Sequence, residues 1–177
     1  KCVSELDLNK PLLRILDPAC GSGSFLVEVL KQLKERKYNG RVILFGWDCS
    51  PCAISTTRFL LKYEQRTQWT SETLEINLKQ VSDSLLEKWN DSYDLILMNP
   101  PFLSMELLNR QSEKDAVNEA LKELNMKKRP NQSAAFLYKA VGALCVDGLL
   151  GTIIPSSLLL YEQYFVLRKS DIEKQIQ

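Results

Sequence analysis

The chain has 177 residues, 45% of them hydrophobic and 25% charged, a composition that supports one globular domain with a real core and excludes a disordered or fibrous one. The near balance of 23 Lys and Arg against 22 Asp and Glu lacks the basic excess of a module that grips nucleic acid by itself. His is absent, which removes Ser-His and Cys-His hydrolases and leaves acid–base work at neutral pH to another group.

In chain order, Leu12 to Leu16 is a short apolar run closed by Asp17-Pro18, and Leu26, Val29, Leu30 and Leu33 then recur at helical spacing up to Lys37. Asn39-Gly40 breaks the chain before a strand, Val42 to Trp47, that ends at Asp48. Ser50-Pro51 reads as a cap with Pro in the first turn of a second helix, whose apolar side carries Ile54, Thr57, Phe59, Leu60 and Leu61. Leu74, Ile76 and Leu78 alternate as a third strand ending near Ser82-Asp83. Tyr93 to Met98 is a fourth, stopped by Asn99-Pro100-Pro101. In the long connection from Phe102 to Asn131, Ser112 and Asp115 resemble a capping box before Val117, Leu121 and Leu124. Leu137, Ala140, Val141 and Leu144 form another helix face. Asp147-Gly148 then turns into a fifth strand, Leu149 to Ile154, followed by a last helix from Ser156 or Ser157 through Arg168. Ser170 to Gln177 is polar and expected to fray. This alternation predicts an α/β fold, a doubly wound, mostly parallel sheet with five strands present.

No apolar run approaches the ~18 residues of a membrane span, and no signal peptide precedes Leu12. Five Cys without secretory context are expected as free thiols in a reducing cytoplasm. Cys49 and Cys52 form a lone C-x-x-C without the two further ligands that zinc requires, so no metal is expected.

In doubly wound sheets, ligands sit at the carboxyl ends of the strands, beside the topological switch point. The unusual residues fall there. Asp17-Pro18-Ala19-Cys20-Gly21-Ser22-Gly23-Ser24-Phe25 is a Gly-rich turn from strand into helix, which brings backbone N–H groups close to a ligand. The dinucleotide fingerprint needs a third small residue where Leu26 stands, and no G-K-[ST] follows, so neither NAD nor a Walker-type phosphate site fits. An acid before the loop suits a cationic ligand better than phosphate. Asp48 stands where a carboxylate can accept from two ribose hydroxyls, although many strands simply end in Asp. Asp83 could accept from an adenine amine or merely cap the Leu85-Leu86 turn.

Asn99-Pro100-Pro101-Phe102 is the sharpest feature. Two prolines make a rigid loop that donates no N–H and leaves carbonyls free to accept. With the Asn amide oxygen they could take both hydrogens of an exocyclic amine, and Phe102 offers a flat face for a base. A sulfonium methyl donor has a good leaving group, so such a site works without His.

These two strings resemble the cofactor and catalytic motifs of the adenine-N6 DNA methyltransferases of restriction–modification systems, and their order resembles the gamma group. The resemblance spans roughly Leu12 to Arg168, including Ile154-Pro155-Ser156-Ser157. It implies a fold of the S-adenosylmethionine-dependent methyltransferase type, with S-adenosylmethionine as cofactor. Asp17, Pro18, Ala19, Cys20, Gly21 and Gly23 would wrap its methionine part. Asp48 would bind the ribose, Cys49 would lie against the adenine and Asp83 would meet the adenine amine. Asn99 and the Pro100 carbonyl would hold the target N6, with Pro101 stiffening the loop and Phe102 stacking on a base flipped out of double-stranded DNA.

The family's N-terminal cofactor motif has no match before Leu12, and its final strands and target-recognition domain would follow Arg168. Residues 1–177 are therefore expected to be a truncated catalytic domain, with DNA recognition supplied elsewhere and fused or separate restriction and specificity subunits as partners, in the cytoplasm of a bacterium or archaeon. Two alternatives stay open: a methyltransferase of a protein glutamine or an RNA base, for which the same Asn-Pro-Pro-aromatic loop would serve, or a non-catalytic cofactor-binding part of a restriction complex. Lys127-Lys128-Arg129 could meet phosphates, although charge clusters usually face water.

Overall fold

A computed structural model describes residues 2–89, 92–124 and 130–169. The strands β1 (Leu12–Asp17), β2 (Arg41–Asp48), β3 (Leu74–Gln80), β4 (Tyr93–Met98) and β5 (Leu144–Thr152) form one sheet in the order β3-β2-β1-β4-β5. Every neighbouring pair is parallel, as the alternation of strands and helices predicts. The chain winds outward from β1 to β3, then crosses back to β4 on the other side of β1. The switch point therefore lies between β1 and β4, above Asp17 and Asn99.

Helices α1 (Cys2–Glu5), α2 (Ser24–Glu35) and α3 (Pro51–Thr67) cover one face, where Leu13, Ile15, Val42, Leu44 and Leu95 meet Val3, Leu26, Leu30, Leu33 and Leu61. The helices α4 (Gln111–Leu121) and α5 (Gln132–Ala143) cover the other, where Leu16, Trp47, Ile96 and Met98 meet Val117, Leu121, Phe136 and Ala140. Burial on both faces explains why the central strands β1, β2 and β4 read as apolar runs, whereas the edge strand β3 alternates. Ser50 caps α3 as its sequence predicts, accepting from Ala53 N at 3.3 Å with Pro51 in the first turn. The short α1 was not foreseen; it packs against β5, with Cys2 Sγ beside Gly151.

Six expectations change. Leu144 is the first residue of β5 rather than the last of a helix, because Tyr93 pairs with it and its backbone turns extended at ψ 142°. The Asp147-Gly148 pair accordingly lies inside β5, where the register jumps between Tyr93–Leu144 and Leu95–Leu149. Asp147 takes a φ of 63°, and a Cβ on Gly148 would lie 2.7 Å from Tyr93 O, so the kink needs glycine. The strand then ends at Thr152 instead of Ile154.

Helix α4 starts at Gln111, one residue before the proposed capping Ser112, and Glu113 rather than Asp115 reaches back, accepting from Arg110 N at 3.1 Å. Leu124 lies beyond α4 in a short 3-10 turn. The expected final helix is broken into α6 (Ser157–Leu160), a 3-10 turn and α7 (Phe165–Leu167). Tyr161 is extended there, and the Arg168 guanidinium closes the bend on Leu158 O at 3.1 Å and Tyr161 O at 2.9 Å. Lys127 to Arg129 and Ser170 to Gln177 lie outside the described residues.

An aromatic cluster anchors the second layer. Trp89 stands edge-on to both Trp47 and Phe136, with centroids 5.5 and 6.1 Å away, and its indole N–H donates to Ser84 O at 2.8 Å. Removing a buried ring of this size costs about 3–5 kcal/mol, and removing only its hydrogen bond, which leaves Ser84 O with Glu87 N as its remaining donor, costs about 0.5–1.5 kcal/mol. Trp89→Ala is thus expected to lose the larger amount and Trp89→Phe the smaller, measured by urea denaturation.

Candidate active site

The turn from β1 into α2 is built on hydrogen bonds to the end of β2. Cys20 N donates to Trp47 O at 2.9 Å, and Gly21 N donates to the Asp48 carboxylate at 2.9 Å. The other Asp48 oxygen accepts from Ser50 N at 2.8 Å. Thr57, buried on α3, donates its hydroxyl to Gly21 O at 2.8 Å. Gly21 and Gly23 are both left-handed, at φ 51° and 81°. A Cβ on Gly23 would meet Thr57 Cγ2 at 2.7 Å, whereas one on Gly21 would point into open space. Gly23 stands at the N-cap of α2, and no side chain caps that helix.

Asp17 is 2% exposed, and its Oδ1 accepts from Ala19 N at 3.1 Å. Burial pushes its carboxyl up to about 7 from the usual 3.8, the Ala19 bond opposes the shift and the Asp48 charge adds to it. Cys20 is buried beside it, and burial, then Asp17 and Asp48, push its thiol up to about 12. A cation placed over this turn would relieve both carboxylates.

Beyond the end of β3, Asp83 makes the cap weighed from the sequence and keeps its second oxygen unpaired. Its Oδ1 accepts from Leu85 N at 2.9 Å, a cap of the Ser84–Leu86 turn, while Oδ2 is buried with no hydrogen-bond partner. Burial raises its pKa, and Glu113 adds to the rise against the opposing Leu85 N–H and Lys139. Lys139 donates to Leu85 O at 2.6 Å and Glu87 O at 3.0 Å and lies over the Trp89 ring, holding that turn from α5.

The loop after β4 leaves Asn99, Pro101 and Phe102 exposed and Pro100 buried. Phe102 is 48% exposed, a free ring face at the mouth of the site. The loop is tied to the start of α5, where Gln132 N donates to Leu103 O at 2.9 Å and Ser104 bridges Asn131. Asn131 caps α5, accepting from Ala134 N at 2.9 Å.

A cleft of about 340 Å3 gathers Pro18, Ala19, Asp48, Cys49, Asp83, Asn99 and Pro101. Seven of the residues singled out from the sequence thus line one cavity. Asp17, Cys20, Gly21 and Gly23 form the turn beside it, and Pro100 and Phe102 belong to the loop that carries Asn99 and Pro101. Ser84, Glu113, Gln132 and Phe136 line the same cleft and were not foreseen. Ser84 closes its base, donating Oγ to Pro18 O at 2.6 Å. Of these, only Gln132 had a local signal, its place just after a capping Asn. Among the described residues no helix is long and apolar enough to cross a membrane, and no group of three or more His, Cys, Asp or Glu is arranged to hold a metal.

Below about pH 4 the Asp17 carboxyl is protonated in folded and unfolded protein alike; between there and 7 only the folded protein keeps the proton. Its contribution therefore makes the ligand-free protein less stable as pH rises through 7, by on the order of 4 kcal/mol for a shift of this size. Asp17→Asn is expected to flatten this slope, read as the difference between variant and wild-type unfolding free energies at pH 5 and pH 8. An identical slope in both proteins would contradict the buried-acid assignment.

A model of the family described as N-6 DNA Methylase matches residues 3–176. The type II methyltransferase M.VspI of Vibrio sp. (strain 343) is 27% identical over 173 residues, which are 93% of this chain and 36% of that protein. The type II methyltransferase M.AccI of Acinetobacter calcoaceticus is 25% identical over 151 residues, 85% of this chain and 25% of that protein. The chain thus spans between a quarter and two fifths of these relatives. In the fold, a Listeria monocytogenes protein described as a candidate class I S-adenosylmethionine-dependent methyltransferase superposes with a TM-score of 0.70 at 20% identity, covering 97% of this chain and 48% of its own. The methyltransferase subunit of a type I restriction-modification system from Streptococcus thermophilus gives 0.66 at 20% identity, covering 91% and 33%.

Proposed function

This chain belongs to the N-6 DNA methylase family, and from that premise we propose that it transfers a methyl group from S-adenosylmethionine to the N6 amine of an adenine flipped out of double-stranded DNA, as the modification part of a restriction–modification system. The observation that carries the proposal is the one cleft joining the acidic strand ends of β1, β2 and β3 to the Asn99-Pro100-Pro101 loop. The donor set fits S-adenosylmethionine. Asp17 and Asp48 face a cationic centre, the space over Gly21 is open to a ligand, and the unpaired Asp83 oxygen awaits an N–H donor.

When bound, S-adenosylmethionine supplies a methyl group activated by its sulfonium. The Asn99 side-chain oxygen and the Pro100 carbonyl accept the two hydrogens of the target amine, which orients its lone pair and raises its electron density. Pro101 keeps that loop stiff and Phe102 stacks on the extruded base. Asn99 takes no proton at neutral pH, so the loop activates the amine by accepting hydrogen bonds rather than by deprotonation. Cys49 lies at the adenine side of the cleft, and Asp48 both meets the ribose and holds Gly21 and Ser50.

We assign residues 1–177 to one catalytic domain. The net charge of +1 supports a DNA grip supplied mainly by another part of a longer protein or by a partner subunit, working in the cytoplasm of a bacterium or archaeon.

Two measurements test the proposal. Calorimetric titration should show binding of S-adenosylmethionine and none of NAD; binding of NAD alone, or of neither, would count against it. Asn99→Ala in the full-length protein should lower single-turnover methylation of adenine in DNA by at least about 100-fold, with S-adenosylmethionine affinity within about twofold of wild type. Near wild-type turnover in this variant would remove Asn99 from its assigned role.

A further inference from the structure

Two acceptors of the cleft have no hydrogen-bond partner although both are shut away from solvent: Asp83 Oδ2 and Gln132 Oε1. Gln132 is only 8% exposed. Its neighbours are committed to structure, since Asn131 caps α5 and Ser133 donates its hydroxyl to Asn131 at 3.0 Å. The main-chain N–H of Gln132 is likewise spent on Leu103 O. Its side-chain oxygen alone has nothing to do in the ligand-free protein. A buried acceptor without a donor is disfavoured, and it is retained where a ligand brings the donor. One turn on along the same helix face, Phe136 adds an aromatic surface to the same cleft.

We propose that Gln132 is a specificity residue whose side-chain oxygen, together with Asp83 Oδ2, accepts the two hydrogens of one primary amine, that of the adenine ring of the bound nucleoside. The inference rests on the S-adenosylmethionine reading of the cleft and adds a residue and a selectivity to it. A hydroxyl donor satisfies one acceptor, whereas an aromatic amine carries two hydrogens in the ring plane and satisfies both. A purine with a carbonyl at that position would set a third acceptor against the pair, so the cleft should reject 6-oxo purines.

The test titrates the full 177-residue chain and Gln132→Leu with S-adenosylhomocysteine and S-inosylhomocysteine, which differ in that amine or carbonyl and in the hydrogen that the 6-oxo ring carries on N1. Wild type should prefer the amine form by more than about tenfold, and Gln132→Leu should shrink that preference by about tenfold, mainly by weaker binding of S-adenosylhomocysteine. Gln132→Met, which keeps an unbranched stem, carries the same comparison should Leu disturb the start of α5. An unchanged preference in the variants, or an equal loss for both ligands, overturns the role of Gln132 and leaves the cofactor reading intact. If wild type binds neither ligand, both fall.

Discussion

The site depends first on what the Asp48 carboxylate does at the end of β2. One oxygen holds Gly21 N and the other Ser50 N, while the main-chain carbonyl of the same residue accepts from Val81 N at 3.0 Å. Three connections, after β1, after β2 and after β3, are thereby fastened to one residue. Backbone groups in such turns have no ladder partner and need an acceptor when they are buried. Each bond to an ionised carboxylate contributes about 1.5–3 kcal/mol, so the Gly-rich turn is held in shape before any ligand arrives. The same charge lies close to Asp17 and helps keep that carboxyl protonated.

The opposite wall is secured by different means. Here the tie runs between layers: Ser84 reaches Pro18 O, Lys139 reaches back from α5 to the turn after β3, and the start of α5 pins the chain beyond Phe102. Tyr164 extends the chain of contacts outward, its hydroxyl oxygen accepting from Asn131 N at 3.2 Å. The broken C-terminal segment is thus connected, through one hydroxyl, to the helix that carries Gln132 and Phe136. Its bend buries Leu158, Tyr164 and Leu167 at spacings that one straight helix would not bring to a single face.

Most of the sheet was legible in the sequence. The first four strands end in Asp17-Pro18, Asp48, a polar pair and Asn99-Pro100-Pro101, each a stop signal with a physical cause, and each strand lies where those stops put it. The place of the candidate site was legible for the same reason: unusual residues at strand ends converge in a parallel sheet. β5 was less so, because the helical spacing of Leu137, Ala140 and Val141 runs on to Leu144 and only pairing with Tyr93 decides where the helix stops. The segment from Leu158 to Val166 is two apolar runs interrupted by Glu162-Gln163, so no single helical periodicity selects a face. Ser84 and Gln132 are ordinary polar residues whose importance comes from burial, and their burial has no signature in spacing.

Cys20 carries a consequence for thiol chemistry. It lies inside the Gly-rich motif, where a reactive cysteine would be a tempting inference, yet burial above all, with two neighbouring acids adding to it, holds its thiol far from ionisation. Nucleophilic attack on electrophiles and oxidants proceeds through the thiolate, so this sulfur is chemically silent and acts as a packing atom below Gly46. Cys49 and Cys52 are exposed a short distance away. Alkylating reagents and peroxides will therefore meet the protein at the rim of the cleft, and the Gly-rich turn itself is insulated from redox damage by the burial that keeps Cys20 in its protonated form.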